Sequence, residues 1–152
     1  MTIGEGVLAP DFSLLDENGT MHRLADYQGQ PLVLYFYPKD DTPGCTTEAC
    51  NFRDDYDEYE KAGIVILGVS PDSVKSHEKF KTKYNLPFTL LADEDHAVCS
   101  LYGTWGVKKR YGREYEGVYR TTFLIGKDGK ILKVFENVKP DGHSQEVLAA
   151  LQ

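Results

Sequence analysis

The chain has 152 residues, of which 41% are hydrophobic and 27% are charged, as in ordinary globular proteins. This length predicts one domain over residues 1–152, and the formal net charge of −7 argues against nucleic-acid binding, which needs clustered lysine and arginine. No apolar run approaches the roughly 20 residues that cross a membrane and no secretory signal is visible, so a cytoplasmic protein without nucleic-acid or membrane partners is expected.

The first half of the chain predicts a hairpin followed by a βαβ unit. The hairpin spans 11–24, with its turn at Asn18-Gly19. The continuous apolar segments 32–37 and 64–69 have the composition of strands buried on both faces. A helical segment of about 42–62 lies between them, which implies a parallel strand pair with a right-handed crossover.

The second half adds short helices and strands. The expected elements are a helix over 73–84, a strand at 88–91, a helix over 95–102, a hairpin of strands 119–125 and 131–135, and a closing helix at 144–151. The basic run at 108–110 is expected in a solvated loop. Together these elements predict an α/β, thioredoxin-like fold: a mixed central sheet with helices on both faces and an N-terminal β-hairpin.

The cysteines are the first candidates for chemistry. Cys45, Cys50 and Cys99 are too few for a disulfide scaffold, so catalytic, redox, metal-binding and merely buried roles are all open. On a helical wheel Cys45 begins the apolar stripe continued by Ala49 and Phe52, whereas Cys50 lies about 140° away. Unpaired backbone N–H groups in the first turn of a helix favour a thiolate at Cys45.

The residues before Cys45 strengthen this interpretation. Segment 38–44 is too rich in proline and glycine to be helical, and it places the Thr42 hydroxyl three residues before the sulfur. Taken singly, a buried Cys45, a helix-capping Thr42 and a turn residue Pro38 are ordinary structural features. The combination Pro38-x-x-x-Thr42-x-x-Cys45 after a buried strand favours a reactive site.

Segment 37–50, Tyr-Pro-Lys-Asp-Asp-Thr-Pro-Gly-Cys-Thr-Thr-Glu-Ala-Cys, resembles the active-site segment of the peroxiredoxins. It is most similar to the bacterioferritin-comigratory, or peroxiredoxin Q, subfamily, with supporting matches at 9–12, 102–106 and 120–125. The resemblance implies a monomeric thiol peroxidase that reduces hydrogen peroxide and small organic hydroperoxides. It implies re-reduction by thioredoxin or a similar dithiol protein, and no metal or other cofactor.

The resemblance also implies a role for each matching residue. Cys45 matches the peroxidatic cysteine, whose thiolate attacks the terminal peroxide oxygen and becomes a sulfenic acid. Thr42 matches the hydroxyl that holds the peroxide oxygens, and Pro38 matches the ring that shields the thiolate from water. Arg120 matches the guanidinium that stabilises the thiolate and the transition state. Glu48 either orients Arg120 or is an ordinary helix residue, and both interpretations are open.

Cys50 matches the resolving cysteine of many subfamily members, which implies a Cys45–Cys50 disulfide. Five residues along an intact helix separate Cα atoms by about 8–9 Å, whereas a disulfide allows no more than about 7 Å. The first turns of this helix are therefore expected to unwind before the bond forms. A surface thiol without a role and a zinc ligand are the alternatives for Cys50, although the spacing is wide for zinc. Cys99 is either a backup resolving thiol or, as we favour, a spare buried one.

Two other functions remain open at this point. A thiol–disulfide oxidoreductase could use the same fold, but such proteins usually have Cys-x-x-Cys at the helix start, which this chain lacks. A peroxide-responsive redox sensor would form the same disulfide once, without rapid turnover.

Overall fold

Residues 3–151, which the computed structural model describes, form a seven-stranded mixed sheet, a separate two-stranded sheet and five α-helices. The strands are β1 (Ser13–Asp16), β2 (Met21–Arg23), β3 (Leu32–Phe36), β4 (Val65–Ser70), β5 (Thr89–Ala92), β6 (Trp105–Arg110), β7 (Arg113–Val118), β8 (Thr121–Ile125) and β9 (Ile131–Phe135). The helices are α1 (Pro43–Asp54), α2 (Tyr56–Lys61), α3 (Val74–Tyr84), α4 (Ala97–Leu101) and α5 (His143–Leu151). A short 3₁₀ helix, Leu24–Tyr27, follows β2.

The large sheet has the order β2-β1-β5-β4-β3-β8-β9, with β3, β4 and β5 parallel to one another. Strand β3, which lies inside the sheet between β4 and β8, is buried along its whole length. Val33 and Tyr35 point into one hydrophobic core, and Leu34 and Phe36 point into a second core on the opposite face. This alternation explains why the segment is apolar without interruption, since both of its faces are covered.

The two cores contain different helices. Residues of α1, α2, α3 and α5 pack on one face, whereas α4 packs on the other. The expected α/β, thioredoxin-like architecture is therefore confirmed, including the hairpin of β1 and β2 with its turn at Asn18-Gly19. No helix within residues 3–151 is long and apolar enough to cross a membrane.

Two expectations about individual elements are wrong. The helix expected over 42–62 is divided at Asp55, whose φ of −99° and ψ of 7° bend the chain while Tyr59 stays buried. The basic run 108–110 lies on β6, not in a solvated loop. Tyr111 and Gly112 both have positive φ and close a tight β6–β7 hairpin.

Sheet register brings the candidate residues together. The chain leaves β3 at Phe36 and passes through residues 37–42 into α1. Strand β8 runs antiparallel to β3, with Thr121 opposite Phe36. Arg120, just before Thr121, therefore lies beside the end of β3 that leads into α1. The candidate cysteine and arginine, 75 residues apart in sequence, thus meet at one sheet edge.

Candidate active site

Cys45 is the third residue of α1 and its side chain is almost completely buried, with 2% of its surface exposed. Thr42 is the N-cap of the helix and Pro43 is its first residue. Proline is favoured there because it has no N–H to leave unpaired and its fixed φ suits a helix. The free backbone N–H groups of this first turn give partial positive charge to the end of the helix that carries Cys45.

Arg120 contacts both Cys45 and Glu48. Its Nη2 donates to the Cys45 Sγ at 3.4 Å, and its Nη1 donates to the Glu48 Oε1 at 2.7 Å. Gly44 allows this approach, because a Cβ atom there would lie 3.0 Å from the Arg120 Nη2. Glu48 therefore contacts Arg120, one of the two interpretations left open by the sequence, and a glycine just before the cysteine makes room for the guanidinium.

The Glu48 carboxyl is fully buried, and its Oε2 has no hydrogen-bond partner among the described residues. Burial raises the pKa of Glu48 from its ordinary 4.5 to about 7, although the Arg120 charge and hydrogen bond act in the opposite direction. Burial alone would lower the pKa of Arg120, but Glu48 and Cys45 outweigh it, so that pKa is raised. Arg120 therefore keeps its charge at every pH at which the protein is used.

Cys45 opens into a cleft of about 630 Å³. The cleft is lined by residues of the 38–45 segment, by Pro71, by Arg120 and by the β6–β7 hairpin, namely Pro38, Lys39, Thr42, Pro43, Gly44, Trp105, Lys108, Arg110, Tyr115, Glu116, Gly117 and Val118. Thr42 and Pro38 thus lie in the same cleft as the sulfur. The Thr42 hydroxyl donates its hydrogen to the Lys39 carbonyl at 2.8 Å. The lone pairs of the Thr42 Oγ1 are therefore free to accept a hydrogen bond.

The β6–β7 hairpin is the part of the site that sequence reasoning missed. Lys108 donates from Nζ to the Val118 carbonyl at 2.9 Å, and burial together with the Arg120 charge lowers its pKa. Trp105 stacks on His96 with ring centroids 3.9 Å apart and planes 1° from parallel. Residues 105–118 mix glycine, charged and aromatic residues without a regular alternation, so the sequence offered no clear signal for this strand pair.

The other two cysteines lie in different environments. Cys50 is half-buried on α1, which is continuous from residue 43 to residue 54, and the three cysteines are free thiols. Partial burial raises the pKa of Cys50. Cys99 is completely buried in the core on the opposite face of the sheet from Cys45, and burial followed by the Asp93 charge raises its pKa well above the usual range. The structure therefore does not bring Cys99 to the cleft.

Comparison with known proteins gives a consistent assignment. Residues 6–134 match the AhpC/TSA family. The chain is 54% identical to the putative peroxiredoxin Bcp of Coxiella burnetii, over 99% of this chain and 100% of that protein. It is 49% identical to peroxiredoxin Bcp of Bacillus subtilis, over 100% of this chain and 97% of the relative.

Solved structures agree with these sequence relatives. A cysteine-to-serine mutant of Xanthomonas campestris peroxiredoxin Q superimposes with a TM-score of 0.91 at 42% identity, covering 98% of each chain. The bacterioferritin comigratory protein of the same organism, solved in a study of its alkyl peroxide reduction activity, gives a TM-score of 0.87 at 44% identity, covering 92% of this chain and 89% of that one. The chain therefore belongs to the AhpC/TSA family and is a peroxiredoxin of the Bcp type, an enzyme that takes a peroxide as its substrate and a thiol as its reductant.

Proposed function

We propose that this peroxiredoxin reduces hydrogen peroxide and small organic hydroperoxides at Cys45, with residues 1–152 acting as one domain. The observation that carries the proposal is the contact of Arg120 with the Cys45 sulfur at the floor of an open cleft. A fixed guanidinium stabilises both the thiolate before attack and the charge that develops on the oxygens during attack. Thr42 and Pro38, from the same cleft, orient the peroxide and shield the sulfur from water.

The peroxide step transfers two electrons from sulfur to oxygen. The Cys45 thiolate attacks the terminal oxygen of the hydroperoxide, an S–O bond forms and the O–O bond breaks. Cys45 becomes a sulfenic acid, and the departing alkoxide or hydroxide takes a proton from solvent to leave as alcohol or water. The Thr42 oxygen accepts a hydrogen bond from the attacked peroxide hydroxyl, and Arg120 donates to the developing charge. No metal, flavin or haem is required, because sulfur itself is oxidised.

Cys50 is proposed as the resolving thiol. Its sulfur displaces the hydroxyl of the sulfenic acid, which releases water and leaves a Cys45–Cys50 disulfide. A thioredoxin-like dithiol protein then reduces this bond by thiol–disulfide exchange and is itself oxidised to a disulfide. We expect the enzyme to work as a monomer in the cytoplasm, where such dithiols are kept reduced.

Small organic hydroperoxides are included because the cleft is open and because a relative is described as active on alkyl peroxides. The cleft volume of about 630 Å³ exceeds what hydrogen peroxide alone occupies. The X. campestris relative that was studied for alkyl peroxide reduction is 44% identical to this chain over the aligned region.

The experiment is peroxide consumption coupled to thioredoxin, thioredoxin reductase and NADPH, for the wild type, Cys45→Ser and Cys50→Ser. We expect turnover in the wild type, no reaction in Cys45→Ser, and a single oxidation without thioredoxin-dependent turnover in Cys50→Ser. Oxidation of Cys45→Ser at the wild-type rate would disprove the proposal. Rapid single oxidation of the wild type without turnover would favour a redox sensor.

A further inference from the structure

The loop between β3 and α1, residues 37–42, is fixed at its centre by a buried network that does not touch Cys45. The Asp40 carboxylate accepts hydrogen bonds from the Tyr37 hydroxyl at 2.6 Å and from the Ser76 hydroxyl at 2.8 Å. Its Oδ2 also lies 2.7 Å from the His77 Nδ1. His77 and Ser76 belong to α3, so the network ties the loop to a helix distant in sequence.

The His77 ring cannot avoid its contact with Asp40. The ring is completely buried, and its Nε2 lies 2.9 Å from the Leu91 carbonyl, which only accepts, so Nε2 carries a hydrogen. Either Nδ1 also carries one and the pair is imidazolium and carboxylate, or Asp40 holds that proton and donates it to Nδ1. In both forms one proton bridges the two atoms and the pair has no net charge, which suits its burial.

A single peptide unit connects this pair to Thr42. The N–H of Asp40 donates to the Asp72 Oδ2 at 2.8 Å. The carbonyl of the same planar unit belongs to Lys39 and accepts the Thr42 hydroxyl at 2.8 Å. Because a peptide group moves as a rigid plane, displacement of Asp40 turns the Lys39 carbonyl and with it the Thr42 hydroxyl.

The loop also contains a strained residue that needs such support. Asp41 has a φ of 56°, a left-handed conformation that a non-glycine residue keeps only when its surroundings fix it. Its carboxylate contacts Lys83 and Tyr84 at 2.7 Å each, but these contacts are exposed. The buried Asp40–His77 pair is therefore the stronger of the two attachments to α3.

We infer that His77, acting through Asp40, is a positioning residue that sets the direction of the Thr42 hydroxyl towards the peroxide. This inference rests on the proposed role of Thr42 in binding peroxide. Among the described residues His77 does not line the cleft, so it acts without touching the substrate. Loss of its bond to Asp40 lowers the rate of the peroxide step and leaves Arg120 against the sulfur.

Two substitutions separate the contacts of the ring. The amide nitrogen of His77→Asn replaces Nδ1 and keeps a donor to Asp40, whereas that of His77→Gln replaces Nε2 and keeps a donor to Leu91. We expect the second-order rate constant for hydrogen peroxide to fall about 10- to 100-fold in His77→Gln and to stay within about threefold of wild type in His77→Asn. Alkylation of Cys45 by iodoacetamide, which does not need Thr42, should not slow in either variant.

A double-mutant cycle tests the route through Thr42. If His77 acts by orienting that hydroxyl, His77→Gln has no further effect on the peroxide rate in a Thr42→Val background. Additive losses in the double variant, or equal losses in His77→Asn and His77→Gln, would overturn the inference. Should His77→Gln fail to fold, Ser76→Ala removes another donor to the same carboxylate oxygen and is tested in the same cycle.

Failure of the inference is distinguishable from failure of the proposed function. Wild type and His77→Asn that react with peroxide, together with an inactive Cys45→Ser, establish the proposed function whatever His77→Gln does. A Thr42→Val variant with the wild-type peroxide rate would contradict the proposed role of Thr42 and the inference together.

Discussion

At the scale of single residues, the guanidinium of Arg120 meets two acceptors with two different nitrogens. Nη2 donates a hydrogen bond to the Cys45 sulfur, and Nη1 donates one to the Glu48 carboxylate. A lysine ammonium is one point charge and cannot span both groups in this fixed geometry. The planar geometry of the guanidinium, and not its charge alone, therefore sets the position of the hydrogen-bond donor at the sulfur.

We expect Arg120→Lys to lower the second-order rate constant for peroxide about 10²- to 10³-fold, the usual cost of removing one preorganised donor. Stopped-flow measurement of sulfenic acid formation gives this rate constant directly. Arg113→Lys, on the exposed part of β7, is the matched control and should retain the wild-type value. A rate within threefold of wild type in Arg120→Lys would mean that charge alone is sufficient.

Glu48 gives a prediction about pH and stability. Its pKa of about 7 in the folded protein, against an ordinary 4.5, means that the folded state binds this proton more tightly than the unfolded state. The resulting stabilisation is complete below about pH 4.5 and is lost as the pH rises through 7. At about 1.4 kcal/mol per pH unit between pH 4.5 and 7, the loss amounts to at most about 3.5 kcal/mol.

Urea unfolding of wild type and Glu48→Gln between pH 4.5 and 8 measures this effect. The difference in unfolding free energy, wild type minus Glu48→Gln, should fall as the pH rises to about 7 and stay constant above it. Other titrating groups cancel, because they are common to both proteins. Parallel curves would show that the pKa of Glu48 is the same in the folded and unfolded states.

At the scale of elements, α1 is intact with Cys45 and Cys50 both reduced. Disulfide formation therefore requires at least one turn of this helix to open. We expect amide hydrogen exchange over residues 43–54 to accelerate in the oxidised protein, while exchange in β3 and β4 stays slow. Oxidised Cys50→Ser, which cannot form the bond, is the control and should keep a protected α1. Unchanged protection of α1 in the disulfide form would contradict this account.

Asn51 connects α1 to the segment before α5, so it opposes this opening. Its Oδ1 accepts the Gly142 N–H at 2.8 Å. Asn51→Ala removes the acceptor, and we expect the sulfenic acid to be resolved a few times faster than in wild type. Asn51→Asp keeps an acceptor for Gly142 and should change the resolution rate less. Equal acceleration in both variants would exclude the Gly142 contact as the cause.

Elements whose apolar residues recur at a regular spacing could be predicted from the sequence. Elements that form only through packing against other parts of the fold could not. The stripe of Cys45, Ala49 and Phe52 is buried as its spacing indicates. The β6–β7 hairpin escaped prediction because its turn is Tyr111-Gly112, and tyrosine is not a usual residue at a positive φ. Its mixture of glycine and charged residues resembles a loop, and only its packing beside the cleft reveals a strand pair.

At the scale of the whole molecule, the central sheet separates two hydrophobic cores. Cys45 belongs to one and Cys99 to the other. We expect Cys99→Ala to leave the thioredoxin-coupled turnover at the wild-type rate and to lower the unfolding free energy by about 1–2 kcal/mol, as a buried side chain is shortened. Ser100→Ala, at the exposed neighbouring position, controls for the change in α4. Lost turnover in Cys99→Ala would make it part of the cycle.

Long-range contacts mark the limit of sequence reasoning at this scale. Arg120 lies 75 residues from Cys45, and His77 lies 37 residues from Asp40. The local spacing of apolar and polar residues contains no information about either of these contacts. The resemblance to known peroxiredoxins supplied Arg120, whereas His77 acquires its partner from the packing of α3 on the loop.

Trp105 is the only tryptophan of the chain, and it lies on the cleft wall against His96. All indole fluorescence of the native protein therefore originates beside the reacting sulfur. Opening of α1 changes the surroundings of the cleft, so emission intensity follows the catalytic cycle in real time without an attached dye. A rapid-mixing trace would time closure of the disulfide, because that event rearranges the helix, whereas oxidation of the sulfur alone leaves the helix intact.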